Sequence, residues 1–215
     1  MIVKTEQDEI ARFLGDASNM PGGSAERVCF VESADDVVAL LADAHVRQIP
    51  VTIAGAGTGL SGACIPMGGT VLATSRMNRI RDINAQSMLV SVEPGVMLAD
   101  LQREVEQLSL FYPPDPTERT CSIGGTIATN ASGARTFKYG PTRDYIVELD
   151  VVLATGEQLH LVRNDNHAID GRMSLTTTNG RAIDLVVPSY AMPAIKHAAG
   201  YFASPTMDSI DLFIG

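Results

Sequence analysis

Positive charge is scarce in this chain. Its 215 residues carry 16 Lys and Arg against 25 Asp and Glu, a formal net charge of -9. The cations gather into no stripe, which argues against non-specific nucleic-acid binding, since that mode needs clustered cations on phosphates. A local anion site built from backbone N–H groups stays open, because it needs no net positive charge. Cysteine is scarce too. Cys29, Cys64 and Cys121 are odd in number and far apart. A disulfide framework is therefore not expected, nor is a metal site on thiolates. The expected compartment is the cytoplasm, with a peripheral position at the inner face of a membrane as a variant. The N-terminal stretch MIVKTEQDEI is acidic by Glu6 and lacks the apolar core of a signal peptide. No apolar run is long enough to span a bilayer. What is plentiful is apolar surface: 45% of residues are hydrophobic and 19% charged. That composition belongs to a globular chain of one large or two small domains.

The first half reads as alternating elements. Ile10, Phe13 and Leu14 lie at helical spacing within residues 5–15, ahead of the breaker MPGGSAE. Arg27–Val31 is strand-like. Ser33 is a good N-cap, with Asp36 three positions on, and Val37, Val38, Leu40, Leu41 and Ala44 form an apolar face up to about Arg47. Pro50 restarts the chain and Val51–Ala54 is a strand. Thr70–Ala73 and Met88–Glu93 are further short strands. Leu98, Leu101, Val105 and Leu108 share one face of a helix. FYPPDPTERT cannot be regular, with three prolines in four positions. SIGGTIATNASG reads as a short, closely packed helix. Tyr145–Ala154 and Gln158–Val162 form a hairpin across Thr155-Gly156. Asn179-Gly180 marks a second hairpin with a type I′ turn. DSIDLFIG at the end is strand-like, and its lack of a polar tail makes the chain look cut there. The tract 163–200 is more polar and has no assignment.

Three segments carry chemistry. Gly55-Ala56-Gly57-Thr58-Gly59-Leu60-Ser61-Gly62 puts four glycines into eight positions directly after a strand. Such a loop can turn several backbone N–H groups toward one anion. It has no Lys after its last glycine, so it is no Walker A loop, and Ala63-Cys64-Ile65-Pro66 opens no helix, unlike a Rossmann loop. A tight turn that binds nothing is the alternative. The second segment runs from Pro113-Pro114-Asp115-Pro116-Thr117 through Ser122-Ile123-Gly124-Gly125-Thr126 to Thr129-Asn130-Ala131-Ser132-Gly133. Its hydroxyls and small side chains suit a wall against a flat polar ligand, or close packing alone. The third is Lys138-Tyr139-Gly140, more in keeping with a surface anchor than a catalyst. His45, His160, His167 and His197 show no carboxylate partner by spacing.

Together these blocks resemble the FAD-binding domain of the vanillyl-alcohol-oxidase or PCMH-type flavoproteins. The likeness is to the D-2-hydroxy-acid branch of glycolate oxidase flavin subunits, D-lactate dehydrogenases and D-2-hydroxyglutarate dehydrogenases. The blocks are VTIAGAGTGLSGACIP, LATSRMNRI, VEPGV, PPDP, SIGGTIATNASGARTFKYG and VELDVVLATGE, with a return at AGYFASPTMDSIDLFIG.

The resemblance implies an α+β fold, the PCMH-type FAD-binding fold, with two α/β lobes around the cofactor, about 1–74 and about 75–215. It implies that Gly55, Ala56, Gly57, Thr58 and Gly59 hold the FAD pyrophosphate. It implies that Thr117, Ser122, Gly125, Thr129, Asn130, Ala131 and Ser132 line the flavin and ribityl chain. Some members attach FAD through a His in the glycine loop; Thr58 stands there in this chain, so FAD is expected to be non-covalent. The family continues past Ile-Gly into Ser-Glu-Gly-Thr-Leu-Gly and then a cap domain with the substrate-binding cations, any metal-binding histidines and the catalytic base. No catalytic residue is therefore assigned, and the cap is expected to lie outside the chain. The implied activity is hydride transfer from a 2-hydroxy acid to FAD, with a quinone, a cytochrome or a partner redox subunit as acceptor. A stand-alone FAD-binding subunit and a degenerate FAD fold without turnover are the alternatives.

Overall fold

The computed structural model describes residues 1–193 and 201–215. It is an α+β structure whose chain divides into two compact units. The first comprises Met1–Pro113 and Thr117–Gly125, the second Pro114–Pro116 and Thr126–Gly215. The lobe boundary expected near residue 75 falls inside the first unit. His197 and the pair Ala199-Gly200 lie outside the described residues.

In the first unit a sheet of order β1-β2-β4-β3 is built from β1 (Ile2–Lys4), β2 (Arg27–Phe30), β3 (Val51–Ala54) and β4 (Thr70–Ala73). Strands β2, β4 and β3 are parallel, and β1 is an antiparallel edge on β2. TVLA is buried along its whole length, which suits a strand between two neighbours and covered on both faces. Helix α1 (Gln7–Ile10) runs into a single 3-10 turn over Ala11–Phe13 and anchors on fully buried Ile10.

Helix α2 (Ala34–Arg47) begins as the sequence implies: the Ser33 hydroxyl accepts the Asp36 N–H at 3.2 Å. The Asp36 carboxylate reaches the Glu32 N–H at 2.9 Å, one residue before the cap. It ends where Gln48 turns left-handed at φ 56. Leu40, Leu41 and Ala44 form its buried stripe. Helix α3 (Leu98–Gln107) buries Leu98, Leu101 and Val105, each worth about 1.5–3 kcal/mol of apolar burial. Leu108, expected on that face, caps the helix instead and is exposed.

A hairpin of β5 (Ile80–Asn84) and β6 (Leu89–Val92) ends in buried Glu93. Strands β1 and β5 were not foreseen, because IVK is too short and IRDIN too polar to signal alone. Burial raises the Glu93 pKa, but hydrogen bonds from the Arg79 side chain and N–H, and from Arg81, outweigh it and hold the carboxyl below its usual range. The residues after Glu93 dock the next helix, α4 (Ile123–Ala128). The Pro94 carbonyl accepts the Gly124 N–H, and the Val96 carbonyl accepts the Ile123 N–H, both at 2.8 Å. A Cβ on Gly124 would lie 2.7 Å from Pro94. The division between the units falls within α4.

The second unit holds α5 (Thr136–Tyr139) and two hairpins, β7 (Glu148–Val152) with β8 (Gln158–Val162) and β9 (Arg172–Thr176) with β10 (Ala182–Val186). The expected strand from Tyr145 starts only at Glu148, because Thr142–Tyr145 coils into a 3-10 turn. Both hairpins close through the same three-residue turn. The Gly156 N–H donates to the Leu153 carbonyl and the Gly180 N–H to the Thr177 carbonyl, with φ 85 and φ 88 at the two glycines. Only Gly180, not Asn179, has positive φ. The turn is thus type I with a glycine bulge rather than the expected type I′, which requires positive φ at two successive positions. The expected C-terminal strand is a 3-10 turn, Ser209–Phe213, because the Asp208 carboxylate captures the Ile210 N–H at 3.0 Å and bends the backbone at its start. Leu159, Leu161, Met173, Leu175, Met207 and Ile210 form the core of this unit.

Candidate cofactor site

The glycine loop leaves the C-terminal end of β3, as loops at parallel sheets do when they bind ligands. Its backbone donors are unspent. Among the described residues, no backbone or side-chain acceptor takes the N–H groups of Ala56 through Gly62. Gly57 and Gly62 have φ 70 and φ 75, a region closed to most side chains. The loop is held from two sides. The Ala17 N–H donates to the Gly57 carbonyl at 2.9 Å. The Asp16 carboxylate, which accepts the Ser18 N–H at 2.9 Å, organises that turn. The Ser18 hydrogen bonds lower the Asp16 pKa most, so Asp16 is ionised at neutral pH. On the other side Ser122 packs on Gly55, where a Cβ would meet its Oγ at 2.6 Å; the Gly125 N–H donates to the same Oγ at 3.4 Å. The structure thus brings Ser122 and Gly125 to the loop.

A cleft of about 200 Å³ opens along the loop, lined by Gly55, Ala56, Gly57, Arg12, Phe13 and Cys64 among others. Burial pushes the Cys64 thiol above its ordinary range, only partly offset by the Gly55 N–H, so the thiol is neutral there. Unused donors, a left-handed glycine and a close-packed Gly55 together fit a diphosphate. Thr117 is exposed in the same unit.

The other expected residues lie in the second unit, where the Asn130 and Ala131 groups are hydrogen-bonded within the fold. Asn130 is left-handed at φ 44, and its Oδ1 accepts the Arg143 N–H at 2.9 Å. The Ala131 N–H donates to the Thr126 carbonyl at 2.8 Å, and the Ala131 carbonyl accepts the Thr142 hydroxyl at 2.7 Å. Gly133 admits no side chain: a Cβ would stand 1.8 Å from the Asp115 carbonyl oxygen. Thr129 is exposed and Ser132 half-buried. Gly140 is constrained by its backbone, at φ 83, and a Cβ there would also displace the Asp144 carboxylate.

Behind this turn sits Arg143, which sequence reasoning missed. It is buried and donates to the Asp211 carboxylate at 3.0 Å, to the Asp211 carbonyl, and to the carbonyls of Ile214 and Gly215. Arg163 joins the same carboxylate at 2.8 Å. No local motif announces this cluster; the arginine hydrogen bonds that tie it together join residues 20 to 72 positions apart. The histidines also needed the fold. His160 meets Asp150, its cross-strand partner, at 2.8 Å, which raises its pKa, and His167 lies 3.6 Å from Asp208. His45 is exposed in the last turn of α2. Among the described residues no group of three or more His, Cys, Asp or Glu is placed to hold a metal. No helix among them is long and apolar enough to cross a membrane.

A glycine loop with free donors after a parallel strand defines a nucleotide-binding α+β domain. Residues 25–162 match the FAD binding domain family, and the chain belongs to it. Its cofactor is FAD. D-lactate dehydrogenase of Anaerostipes hadrus is 42% identical over 142 residues, covering 65% of this chain and 30% of that protein. Glycolate oxidase subunit GlcD of Bacillus subtilis (strain 168) is 39% identical over 144 residues, covering 66% and 31%. The chain spans about a third of the length of these relatives. The crystal structure of 6-hydroxy-D-nicotine oxidase from Arthrobacter nicotinovorans shares the fold, with TM-score 0.68 at 22% identity over 75% of this chain and 35% of that one.

Proposed function

We propose that the chain is the FAD-binding portion of an oxidoreductase acting on a D-2-hydroxy acid of the glycolate or D-lactate type. The reading is carried by the unspent N–H groups of Ala56–Gly62 in a chain 42% and 39% identical to a D-lactate dehydrogenase and a glycolate oxidase subunit. FAD supplies the two-electron acceptor that such an oxidation needs. The chain binds and places it. Gly55, Ala56, Gly57, Thr58 and Gly59 take the diphosphate through backbone N–H groups, while Thr117, Ser122, Gly125, Thr129, Asn130, Ala131 and Ser132 face the rest of the cofactor. Thr58 stands where some members of the family carry the His that attaches FAD, so the cofactor is held without a covalent link. A substrate carboxylate asks for a positioned cation and its hydroxyl for a base; we assign neither to a residue of this chain. The electrons pass to a quinone, a cytochrome or a partner redox subunit, the last favoured by a relative that is itself a subunit. We place the protein in the cytoplasm, in keeping with three free cysteines.

Acid precipitation of the FAD-loaded chain is expected to leave all yellow colour in the supernatant; flavin in the pellet would contradict a non-covalent site. Mixed anaerobically with D-lactate, glycolate or D-2-hydroxyglutarate, the 215-residue chain is expected to stay yellow. Bleaching at roughly 1 s⁻¹ or faster would place the catalytic groups within these residues. Reading the gene beyond codon 215 separates a longer enzyme from a stand-alone subunit. An open frame beginning Ser-Glu-Gly-Thr supports the first, and its product should bleach with one of the three acids.

A further inference from the structure

We propose that Arg12 supplies the positive charge of the glycine-loop cleft, pairing with the phosphates that the loop N–H groups hold; this rests on the FAD reading above. Arg12 lines the cleft beside Gly55, Ala56 and Gly57 and, among the described residues, is the one charged residue that does so. The loop itself offers only partial charges, while a diphosphate brings full negative ones. A guanidinium is the side chain whose geometry matches phosphate oxygens.

The arginine is already in position. Its guanidinium carbon lies 4.7 Å from the Phe13 ring centroid and 5.8 Å from that of Phe30. The two rings meet edge to face, 5.4 Å apart at 77°, so they form a fixed aromatic floor on which the cation rests. An arginine held this way loses less conformational freedom when it takes a ligand.

It is also uncommitted. Nine other arginines pair with a carboxylate within 4.0 Å, namely residues 47, 76, 79, 81, 103, 135, 143, 163 and 181. In a chain of net charge -9 carboxylates are easy to find. Yet among the described residues no carboxylate stands within that distance of Arg12. The neighbouring Cys64 thiol is neutral and does not compete for it.

The test measures ADP and adenosine binding by calorimetry on the full chain, at about 20 mM and about 300 mM salt. ADP carries the diphosphate without the flavin, and adenosine carries neither phosphate. In the wild type, ADP is expected to bind more tightly than adenosine and to weaken with salt. Arg12→Gln should weaken ADP about tenfold at low salt, flatten the salt dependence and leave adenosine unchanged. Arg12→Lys should recover part of the loss, since it keeps the charge without the fork. Far-UV circular dichroism should be the same for all three, because Arg12 is exposed. Equal ADP binding by wild type and Arg12→Gln overturns the proposal. So does an equal loss for ADP and adenosine, which would make Arg12 a stacking partner of the base. FAD uptake that the substitution leaves untouched sinks Arg12 alone; a wild-type chain that takes up neither FAD nor ADP sinks the cofactor reading as well.

Discussion

The segments Gly55–Gly62 and Thr129–Gly133 look alike as sequence, being runs of glycine, alanine and hydroxyl residues. In three dimensions their backbones do opposite things. The first leaves the N–H groups of Ala56 to Gly62 without an acceptor among the described residues. The second spends its groups inward: Asn130 and Ala131 donate to the Ile127 and Thr126 carbonyls, and Gly133 donates to the Thr136 hydroxyl. Glycine serves two purposes here. Gly57 faces open space and needs its positive φ; Gly133 has an ordinary φ and needs the absence of a side chain.

Substituting these two glycines tests that contrast directly. Gly133→Val has the largest expected effect, because its Cβ would sit against the backbone of Asp115, and backbone cannot swing aside. Loss of about 4 kcal/mol or more is expected, read as loss of soluble, cooperatively melting protein. A folded Gly133→Val protein would mean that the turn and the PPDP segment can part.

Asp211→Ala comes next. It removes the carboxylate shared by Arg143 and Arg163 and leaves a buried guanidinium without its counter-charge. A loss of about 3–5 kcal/mol is expected, measured by denaturant unfolding. Asn130 hangs on the Arg143 N–H, so any flavin bound should also show a shifted visible spectrum. An unshifted spectrum with lowered stability would confine the pair to holding the fold.

Gly57→Val should be milder on the fold and severe on the ligand. A β-branched residue at φ 70 costs about 1–3 kcal/mol of backbone strain, and its side chain projects into the space left for phosphate. The variant is expected to melt cooperatively and to bind no FAD. Retained affinity would place the diphosphate elsewhere.

The smallest effect is a pH dependence confined to the second unit. Glu157 is held at about 2 by hydrogen bonds from Arg181 and Thr155, against an ordinary 4.5. A carboxyl depressed in the folded state adds stability above its ordinary pKa. That stability fades as pH falls from about 4.5 toward about 2. Glu157→Gln should therefore melt earlier than wild type at pH 6 and match it near pH 2, with FAD affinity at pH 6 the same in both. A melting difference that persists at pH 2 would assign the effect to packing of Glu157, not its charge.

Much of this was legible in the chain. Ser33 with Asp36 marked the start of α2, Val51–Ala54 marked the strand that launches the loop, and GAGTGLSG marked the loop itself. These signals are local: a cap, a short apolar run and a cluster of glycines act within a few residues. The reading failed where a partner was set by strand register, and where one local cap or helix end overrode the apolar pattern. His160 had no visible partner because Asp150 comes beside it only through the β7–β8 register. DSIDLFIG read as a strand by its apolar content, yet the Asp208 carboxylate caps a 3-10 turn there. Leu108 fitted the helical period but falls after the last turn of α3.

The sequence by itself determined the α+β alternation, the glycine loop and the family, because these rest on residue order and on conformations that glycine and proline permit or forbid. Only the tertiary structure decided which small residues are free to bind and which are spent. It also chose the cation at the cleft, Arg12, and the one behind the turn, Arg143. The physical reason is that a charge or an N–H group is defined by what stands within hydrogen-bond reach. For Arg143 that neighbour is Asp211, 68 residues away along the chain, and for Arg12 it is the aromatic floor of Phe13 and Phe30.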